Sequence, residues 1–419
     1  MCVLLLTVSW IMAIQAKSDT EKQVELLGKA RNYLADEIYV RAIPLLEEAS
    51  AYSGDYTLDC ETELKSCYLA LIEQPGYPRK YTGLLEQQMG REDAQPAVFL
   101  EAAQYYLDRG RVKDALGVLR DGIKKTESPE LERVYEDERY VYSYGRSTYE
   151  DVTTAVSGAI QVKRDGAWGL ADASGELIIP CVYDKVSTYS AGQVIVKKDN
   201  VISAVNMDNN RIGLLHETAT DFGNYQEGRL PLQLTDGWHN ADGQFNRGAT
   251  AYEALGTYSD QCAAAKQSGR WGVINLSGEW MIPAEYDGIV MDETGRCWGQ
   301  SRVFVRQGNQ VRLLADGKPL GEPYEDARPF GSGYAAVKRS GKWGFIDSAG
   351  EIKIDFQFDD ALSFSQHLAA VQVGENWGYV SLDGELVIRP TFLEAKSFYN
   401  GSAPIRTVDG WEFIKLLEY

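Results

Sequence analysis

The stretch Trp343-Gly-Phe-Ile-Asp-Ser-Ala-Gly350 decides the fold, because the chain repeats it. Related stretches read Trp271-Gly-Val-Ile-Asn-Leu-Ser-Gly278 and Trp377-Gly-Tyr-Val-Ser-Leu-Asp-Gly384. Their spacing follows a period near 34 residues, the separation of Trp343 from Trp377. A period of this size indicates a stack or a ring of small units, none of which can bury its apolar face alone.

A second spacing fixes the number of units. An aromatic residue, usually followed by an acid, stands 19 positions before most tryptophans, as Tyr324 does before Trp343. Ile202 and Gln310 occupy two degenerate tryptophan positions, and the unit of Gln310 carries an insertion from Met291 to Ser301. The spacing predicts eight units, six of which keep their tryptophan: Trp168, Trp238, Trp271, Trp343, Trp377 and Trp411.

The unit around Trp343 predicts a three-stranded meander. Tyr334 to Lys338 and Trp343 to Asp347 form two short strands, and apolar residues alternate from Ile352 to Phe356 in a third. A short fourth strand is expected near Ala361 to Phe364. Glycines such as Gly350 suit the hairpin turns between strands.

The two ends of the array predict closure. Arg139 to Tyr144 stands where a third strand should stand, and Trp411 to Ile414 is a second strand without its hairpin partner. An N-terminal strand that completes the last unit closes a propeller and removes exposed edges. We therefore predict a propeller-like ring of about eight small units, with an open β-solenoid as the alternative.

These residues resemble the WG repeat family, named for its Trp-Gly pair. Trp168-Gly169, Trp271-Gly272, Trp343-Gly344 and Trp377-Gly378 carry the pair in full, whereas His239 and Glu412 replace the glycine in two copies. The resemblance implies a β-repeat module, and it does not imply any particular activity. We interpret Trp-Gly as packing between units, because burying tryptophan stabilises strongly. An exposed aromatic platform for sugar rings is the alternative.

Residues 17–135 show helical periodicity. Leu26, Ala30 and Ala42 recur at the same offsets as Phe99, Ala103 and Ala115. This segment resembles the tetratricopeptide repeat, and we expect about three helix pairs. The resemblance implies a partner-binding groove lined by the first helix of each pair; a structural spacer without a partner is the alternative. The expected groove residues are Leu27, Arg31, Leu34, Leu100, Gln104 and Leu107.

The apolar run within residues 1–16 favours a signal peptide or a membrane anchor, although it is short for a span of about 20 residues. A buried first helix is the alternative. We therefore divide the chain into an apolar segment at 1–16, helical repeats at 17–135 and β-repeats at 136–419, an α+β multidomain protein. An extracytoplasmic location, either membrane-anchored or secreted, is expected.

Composition excludes some classes of function. The net charge of −19 disfavours nucleic-acid binding, which requires a cationic surface. The six cysteines show no CxxC spacing and the three histidines no metal-ligand spacing, so buried thiols and no metal site are expected. Asp172 and Asp347 precede hairpin glycines and predict turns, not calcium loops. No catalytic residue and no cofactor motif is found.

The sequence therefore predicts a non-catalytic interaction or scaffold protein of the cell envelope. A protein partner would bind the helical groove and the loops of the ring, above all the insertion that carries Arg296 and Trp298. The alternative is a carbohydrate or cell-wall binding module with solvent-facing aromatic residues. An enzyme with its site in a central channel is the least favoured hypothesis.

Overall fold

The computed structural model describes residues 2–215, 219–299 and 301–417. They form two compact units that divide after Glu138, a few residues beyond the expected boundary at 135. The first unit is helical, and the second consists of β-strands. The expected class, helices followed by an all-β repeat domain, is confirmed.

The helical unit contains seven helices within its described residues. They are α1 Cys2–Ala35, α2 Tyr39–Ser50, α3 Thr57–Ala70, α4 Tyr77–Gly90, α5 Pro96–Leu107, α6 Val112–Thr126 and α7 Pro129–Glu138. Helix α1 runs without a break through the expected boundary at residue 16. No helix in the described part of the chain is long and apolar enough to cross a membrane.

Small residues let these helices pack closely. Ala30 and Ala42 are fully buried between α1 and α2, and Ala115 is fully buried on α6. On α6, a Cβ atom added to Gly122 would lie 2.7 Å from the ring of Phe99. The expected small positions therefore lie where helices approach each other, as close helix packing requires.

The second unit is a ring of eight four-stranded antiparallel sheets, or blades. Blade 1 consists of β2 Asp151–Val152, β3 Ala159–Arg164, β4 Ala167–Asp172 and β5 Leu177–Tyr183, and blade 2 consists of β6 Lys185–Val186, β7 Val194–Lys198, β8 Val201–Val205 and β9 Arg211–Leu214. Blade 3 consists of β10 Asp221–Phe222, β11 Leu230–Leu234, β12 Gly237–Ala241 and β13 Arg247–Tyr252, and blade 4 consists of β14 Ala254–Leu255, β15 Cys262–Gln267, β16 Arg270–Asn275 and β17 Trp280–Tyr286. Blade 5 consists of β18 Gly288–Ile289, β19 Arg302–Gln307, β20 Gln310–Ala315 and β21 Lys318–Tyr324, and blade 6 consists of β22 Asp326–Ala327, β23 Tyr334–Arg339, β24 Lys342–Asp347 and β25 Ile352–Phe358. Blade 7 consists of β26 Asp360–Ala361, β27 Ala369–Val373, β28 Asn376–Val380 and β29 Leu386–Phe392, and blade 8 consists of β30 Glu394–Ala395, β31 Ser402–Thr407, β32 Gly410–Leu416 and β1 Tyr142–Tyr144.

Blade 8 combines the two ends of the β segment and closes the ring. Strand β1 pairs antiparallel with β32, and Ser143 lies opposite Lys415. Outside the strands, the Gly145 N–H donates to the carbonyl of Phe413 at 2.7 Å. The predicted closed ring is confirmed, and the open solenoid is wrong.

Each blade has a fourth strand that the three-stranded description of the unit lacks. The additional strand comes first in each of the eight blades, and it is only two residues long. The strand expected near Ala361 to Phe364 is β26, at Asp360–Ala361. Two residues are too few to show the alternation that identifies a strand in a sequence.

The predicted packing role of the tryptophans is confirmed. Trp343 of blade 6 is 2% exposed and packs in one cluster with Phe364 and Val371 of blade 7. Trp411 of blade 8 is 4% exposed and packs with Val152 of blade 1. Four further repeat tryptophans are half-buried: Trp168, Trp238, Trp271 and Trp377. Each joins its blade to the apolar core of the ring, so neighbouring blades stabilise each other.

The glycine of the Trp-Gly pair has a different role from the one expected. A Cβ atom on Gly344 would lie 2.7 Å from the carbonyl oxygen of Ile354 in β25 of the same blade. The pairing register between β24 and β25 shifts at this point, which brings the bulged backbone close. In the same way, a Cβ atom on Gly169 would lie 2.5 Å from the carbonyl oxygen of Ile179. The glycine therefore accommodates a bulge in its own blade, not a neighbouring unit.

Candidate functional site

The loops that follow the two-residue strands meet at the axis of the ring and enclose a cavity. Its volume is about 600 Å³, and its lining comes from blades 1, 4, 5, 6, 7 and 8. Pockets of a few hundred cubic ångströms at such positions are typical binding sites for small or extended ligands. This central cavity is the candidate functional site.

The insertion after β18 forms one wall of the cavity, and we call residues 291–299 the hub loop. The Asp292 carboxylate accepts the backbone N–H of Thr294 at 2.9 Å and that of Arg296 at 3.0 Å. The Gly295 N–H donates to the Asp292 carbonyl at 3.0 Å. The hub loop is thus folded around a tight aspartate turn.

The tip of the hub loop is anchored to blades 3 and 4. The Thr294 carbonyl accepts the amide of Asn224 at 2.9 Å and the hydroxyl of Thr257 at 2.5 Å. The Thr257 N–H donates to the Gly295 carbonyl at 2.9 Å. Because Thr294 is only 3% exposed, these bonds fix the tip in place.

The same loop reaches blades 1 and 8 on the other side of the axis. One carboxylate oxygen of Glu293 accepts the backbone N–H of Thr154, and the other pairs with the ammonium of Lys396. Thr154 and Lys396 are 139 and 103 residues from Glu293 in the chain. The hub loop therefore links four blades across the centre of the ring.

Charges at the cavity are paired. The Arg296 guanidinium lies 2.8 Å from the Asp292 carboxylate. The Arg328 guanidinium lies 3.4 Å from Asp360 and stacks over the Trp343 ring at 4.5 Å. The apolar lining contains aliphatic residues such as Val156, Met291 and Leu362 and five aromatic ones: Trp298, Phe330, Phe364, Trp377 and Tyr399. Such a mixture of rings and paired charges can bind a ligand with both apolar and polar groups.

The two expected site residues of the insertion both line this cavity. Trp298 is partly buried, and its carbonyl accepts the Ser259 hydroxyl at 2.7 Å. Arg296 is held by Asp292 within the hub loop. The insertion therefore faces the axis of the ring, and its charged and aromatic side chains meet at the cavity.

The expected groove residues of α1 occupy different environments. Leu27 is 2% exposed and belongs to the helical core, against which Leu34 is also packed. Arg31 is exposed, and its guanidinium donates to the Glu63 carboxylate of α3 at 2.7 Å. Of these three side chains, Arg31 is exposed, Leu34 is partly buried and Leu27 is buried.

The corresponding residues of α5 show the same division. Leu100 and Leu107 are half-buried against the second helical cluster. Gln104 is exposed and donates to the Asp108 carboxylate one turn later, at 2.7 Å. The helical unit therefore offers polar side chains at these positions, and their role in binding stays a prediction.

Acids of the repeat have structural roles. The Asp172 carboxylate accepts the N–H groups of Ser174 at 2.8 Å and Glu176 at 3.0 Å, which confirms the predicted turn. The Asp359 carboxylate accepts the N–H of Gly374 at 2.8 Å and pairs with Lys342 at 2.5 Å. These acids stabilise hairpin turns through bonds to the backbone, and they are not clustered at one site.

Thiols and imidazoles show no arrangement for catalysis in the described parts of the chain. Burial raises the pKa of the Cys297 thiol to about 12 and that of Cys262 to about 11. His239 is buried, and its ring nitrogens contact the Gly248 carbonyl at 3.1 Å and Asp236 at 2.9 Å. No three potential metal ligands cluster among the described residues. His216 lies outside the described residues.

The sequence did not reveal the polar contacts that hold the hub loop. The Gln161 amide donates to the Val186 carbonyl at 2.6 Å and to Asn224 at 3.0 Å, and Asn224 in turn binds Thr294. These residues belong to different blades. Because they do not recur with the period, only the closed ring brings them together.

In the comparison with known protein families, the matched residues all lie in the β segment. The model of the WG containing repeat matches residues 168–201, 271–298, 324–343, 343–377 and 377–411. The tetratricopeptide resemblance of the helical unit stays a prediction. No curated protein matches the chain.

Two solved structures are examples of the matches to the chain. One is Hsv2 of Kluyveromyces lactis, at 8% identity and a TM-score of 0.37, over 66% of this chain and 98% of that chain. The other is the WD40 domain of SCAP from fission yeast, at 8% identity and a TM-score of 0.36, over 66% of this chain and 97% of that chain. Similarity this distant carries nothing about what the present chain binds.

Proposed function

Because the ring is built from repeats similar to the WG containing repeat, we propose that the protein is a non-catalytic binding scaffold. The central cavity would hold a segment of a partner protein, and the helical unit would provide a second contact surface. The observation that carries this proposal is the cavity of about 600 Å³ at the centre of a closed ring. Its wall combines aromatic rings with paired charges, which suits recognition of a peptide.

The absence of a catalytic role is part of the proposal. The basic groups Arg296, Arg328 and Lys396 at the cavity are each paired with an acid of the ring. Burial raises the pKa of the Cys297 thiol, which opposes formation of the nucleophilic thiolate. These features favour a static binding wall over acid–base or nucleophilic chemistry.

Site-specific photo-crosslinking in the cell tests the proposal. A crosslinking amino acid at position 298 faces the cavity, whereas one at Met281 lies on an exposed outer strand and serves as the control. We expect a discrete crosslinked partner at position 298 that is missing at position 281. Equal patterns at the two positions, or no adduct at position 298, would contradict the proposal.

Carbohydrate binding is the second candidate function. The aromatic rings of Trp298 and Trp377 line the cavity together with the hydroxyls of Ser363 and Ser365. Aromatic faces beside hydroxyl groups suit sugar rings. Titration with soluble cell-wall glycans would shift the tryptophan emission if this function is correct. An unchanged spectrum in the wild type, together with a crosslinked protein, would favour the scaffold.

An envelope location completes the proposal. It rests on the apolar sequence within residues 1–16, which suits an anchor or a signal. Fractionation of cells that express the chain from Met1 provides the test. Recovery with the membrane or outside the cell would support the proposal, and recovery only in the cytosol would contradict it.

A further inference from the structure

The Glu293 carboxylate contacts two hydrogen-bond donors that come from distant blades of the ring. The backbone N–H of Thr154 in blade 1 contacts one carboxylate oxygen, and the ammonium of Lys396 in blade 8 contacts the other. All three residues line the central cavity. One carboxylate thus satisfies two donors that the ring itself holds in place.

The donors are fixed independently of Glu293. The Lys396 N–H donates to the Pro404 carbonyl at 2.9 Å, and the Lys396 carbonyl accepts the Tyr379 hydroxyl at 2.8 Å. Its ammonium lies 5.3 Å from the centre of the Trp411 ring. The side chain is 17% exposed, so packing restricts its movement. Such a donor is preorganised for an anion.

Thr154 is held equally well. The neighbouring Thr153 N–H donates to the Gln161 carbonyl at 3.0 Å, and the Val156 N–H donates to the Ala159 carbonyl at 2.9 Å. The loop is therefore tied on both sides of Thr154. These two bonds hold the backbone on either side of the Thr154 N–H group and do not involve Glu293.

Glu293 itself is the replaceable part. The adjacent residues Asp292 and Thr294 are fixed by the turn and by blades 3 and 4, whereas the Glu293 side chain is 35% exposed. Rotation about its side-chain bonds would release the two donors without movement of the hub loop. Glu293 is the more exposed partner of this ion pair, so its carboxylate is the one that a ligand can replace.

We propose that Thr154 and Lys396 form a carboxylate-binding site in the central cavity, which Glu293 occupies until a ligand carboxylate displaces it. The inference rests on the proposed binding function of that cavity and adds the chemical class of its ligand. The carboxylate can belong to a small acid or to a peptide, through a free C-terminus or an acidic side chain. The net charge of −19 favours a ligand with a single acidic group over a strongly acidic one.

The test compares wild type with Glu293→Gln, which keeps the size of the side chain and removes its charge. The probes are acetate, the neutral isostere acetamide, and capped tetrapeptides that contain one Glu or one Gln. Saturation-transfer NMR measures their binding. Removing the tethered carboxylate should tighten acetate binding, because acetate no longer competes with an intramolecular carboxylate for Thr154 and Lys396. Acetamide should bind equally to both proteins.

A second substitution locates the site. In Glu293→Gln, the further change Lys396→Met should abolish the gain in affinity for acetate and for the Glu peptide. Equal acetate binding by wild type and Glu293→Gln, or an undiminished gain in the double variant, would overturn the proposal. If Glu293→Gln does not fold, Lys396→Met in the wild-type background tests the site, because it should lower the affinity for acetate.

The peptide arm separates the sources of the carboxylate. A gain for acetate alone assigns the site to small acids, and a gain for the Glu peptide over the Gln peptide assigns it to a peptide. The outcome is distinguishable from failure of the scaffold function. Tighter acetate binding without a crosslinked partner would refute the scaffold alone, whereas a crosslinked partner with equal acetate and Glu-peptide binding by wild type and Glu293→Gln would refute the carboxylate site alone.

Discussion

The carbonyl oxygen of Ile354 lies 2.7 Å from the point where a Cβ atom on Gly344 would stand. The contact is within one blade, between β24 and the bulged outer strand β25. It explains why glycine follows tryptophan in the full copies of the repeat. A side chain at this position would meet rigid backbone, which cannot turn away.

The first prediction concerns this contact. Gly344→Ala should destabilise the ring by roughly 1–3 kcal/mol, the usual cost of overpacking. Gly213→Ala is the matched control, because its Cβ atom would meet only side chains, Ala204 at 3.4 Å and Phe245 at 3.7 Å, and no backbone atom. Denaturant unfolding of both variants provides the measurement. Equal stability of the two would show that the bulge yields to the added methyl group.

The second prediction concerns the packing between blades 6 and 7. Trp343→Ala removes a ring that is 2% exposed, and the cost should be roughly 3–5 kcal/mol. Trp168→Ala should lower the free energy of unfolding by less, because Trp168 is only half-buried. Unfolding followed by circular dichroism compares the two. A larger loss for Trp168→Ala would contradict the assigned order of burial.

The third prediction concerns pH. The hydrogen bond from Lys342 and the N–H of Gly374 lower the pKa of Asp359 below its ordinary value of 3.8. Because the folded-state pKa is depressed, this stabilisation is complete above about pH 4 and is lost as the pH falls through the folded-state value. Asp359→Asn should therefore lower the Tm at pH 7 and have a diminishing effect below pH 4.

Lys342→Met is the partner variant in this test. It removes the principal cause of the shift, so the pKa of Asp359 should move back towards its ordinary value. The loss of stability in acid that Asp359 causes should then be smaller than in wild type and should be complete at a higher pH. A Tm difference between Asp359→Asn and wild type that does not change with pH would exclude this contribution.

The fourth prediction concerns the buried thiols. Burial raises the pKa of Cys297 to about 12 and that of Cys67 to about 11, so little thiolate forms at pH 8. Iodoacetamide should leave both residues unmodified in the native protein and modify them after denaturation. Mass spectrometry of the peptides measures the labelling. Rapid modification of native Cys297 would show that the hub loop opens.

The repeat period was sufficient to predict the ring. Trp343, Trp411 and their equivalents recur, and the strand left unpaired at each end of the array indicated closure. The roles of Gly344 and Glu293 could not be predicted. The first depends on a shift in register, and the second depends on contacts of a side chain in the insertion, which the repeat pattern does not describe. The sequence placed the insertion correctly in the chain, but only the closed ring shows that it faces the axis.

Closure of the ring by β1 is the central claim, and a disulfide between opposite residues tests it most directly. Ser143 and Lys415 are paired across β1 and β32, and both are exposed, so cysteines there should not disturb the core. Their Cα separation, about 5.5 Å or less for such a pair, suits a disulfide. We predict that Ser143→Cys with Lys415→Cys forms the bond on oxidation and raises the Tm, while neither single variant does. Reduced, unbonded cysteines in the folded, oxidised double variant would contradict closure.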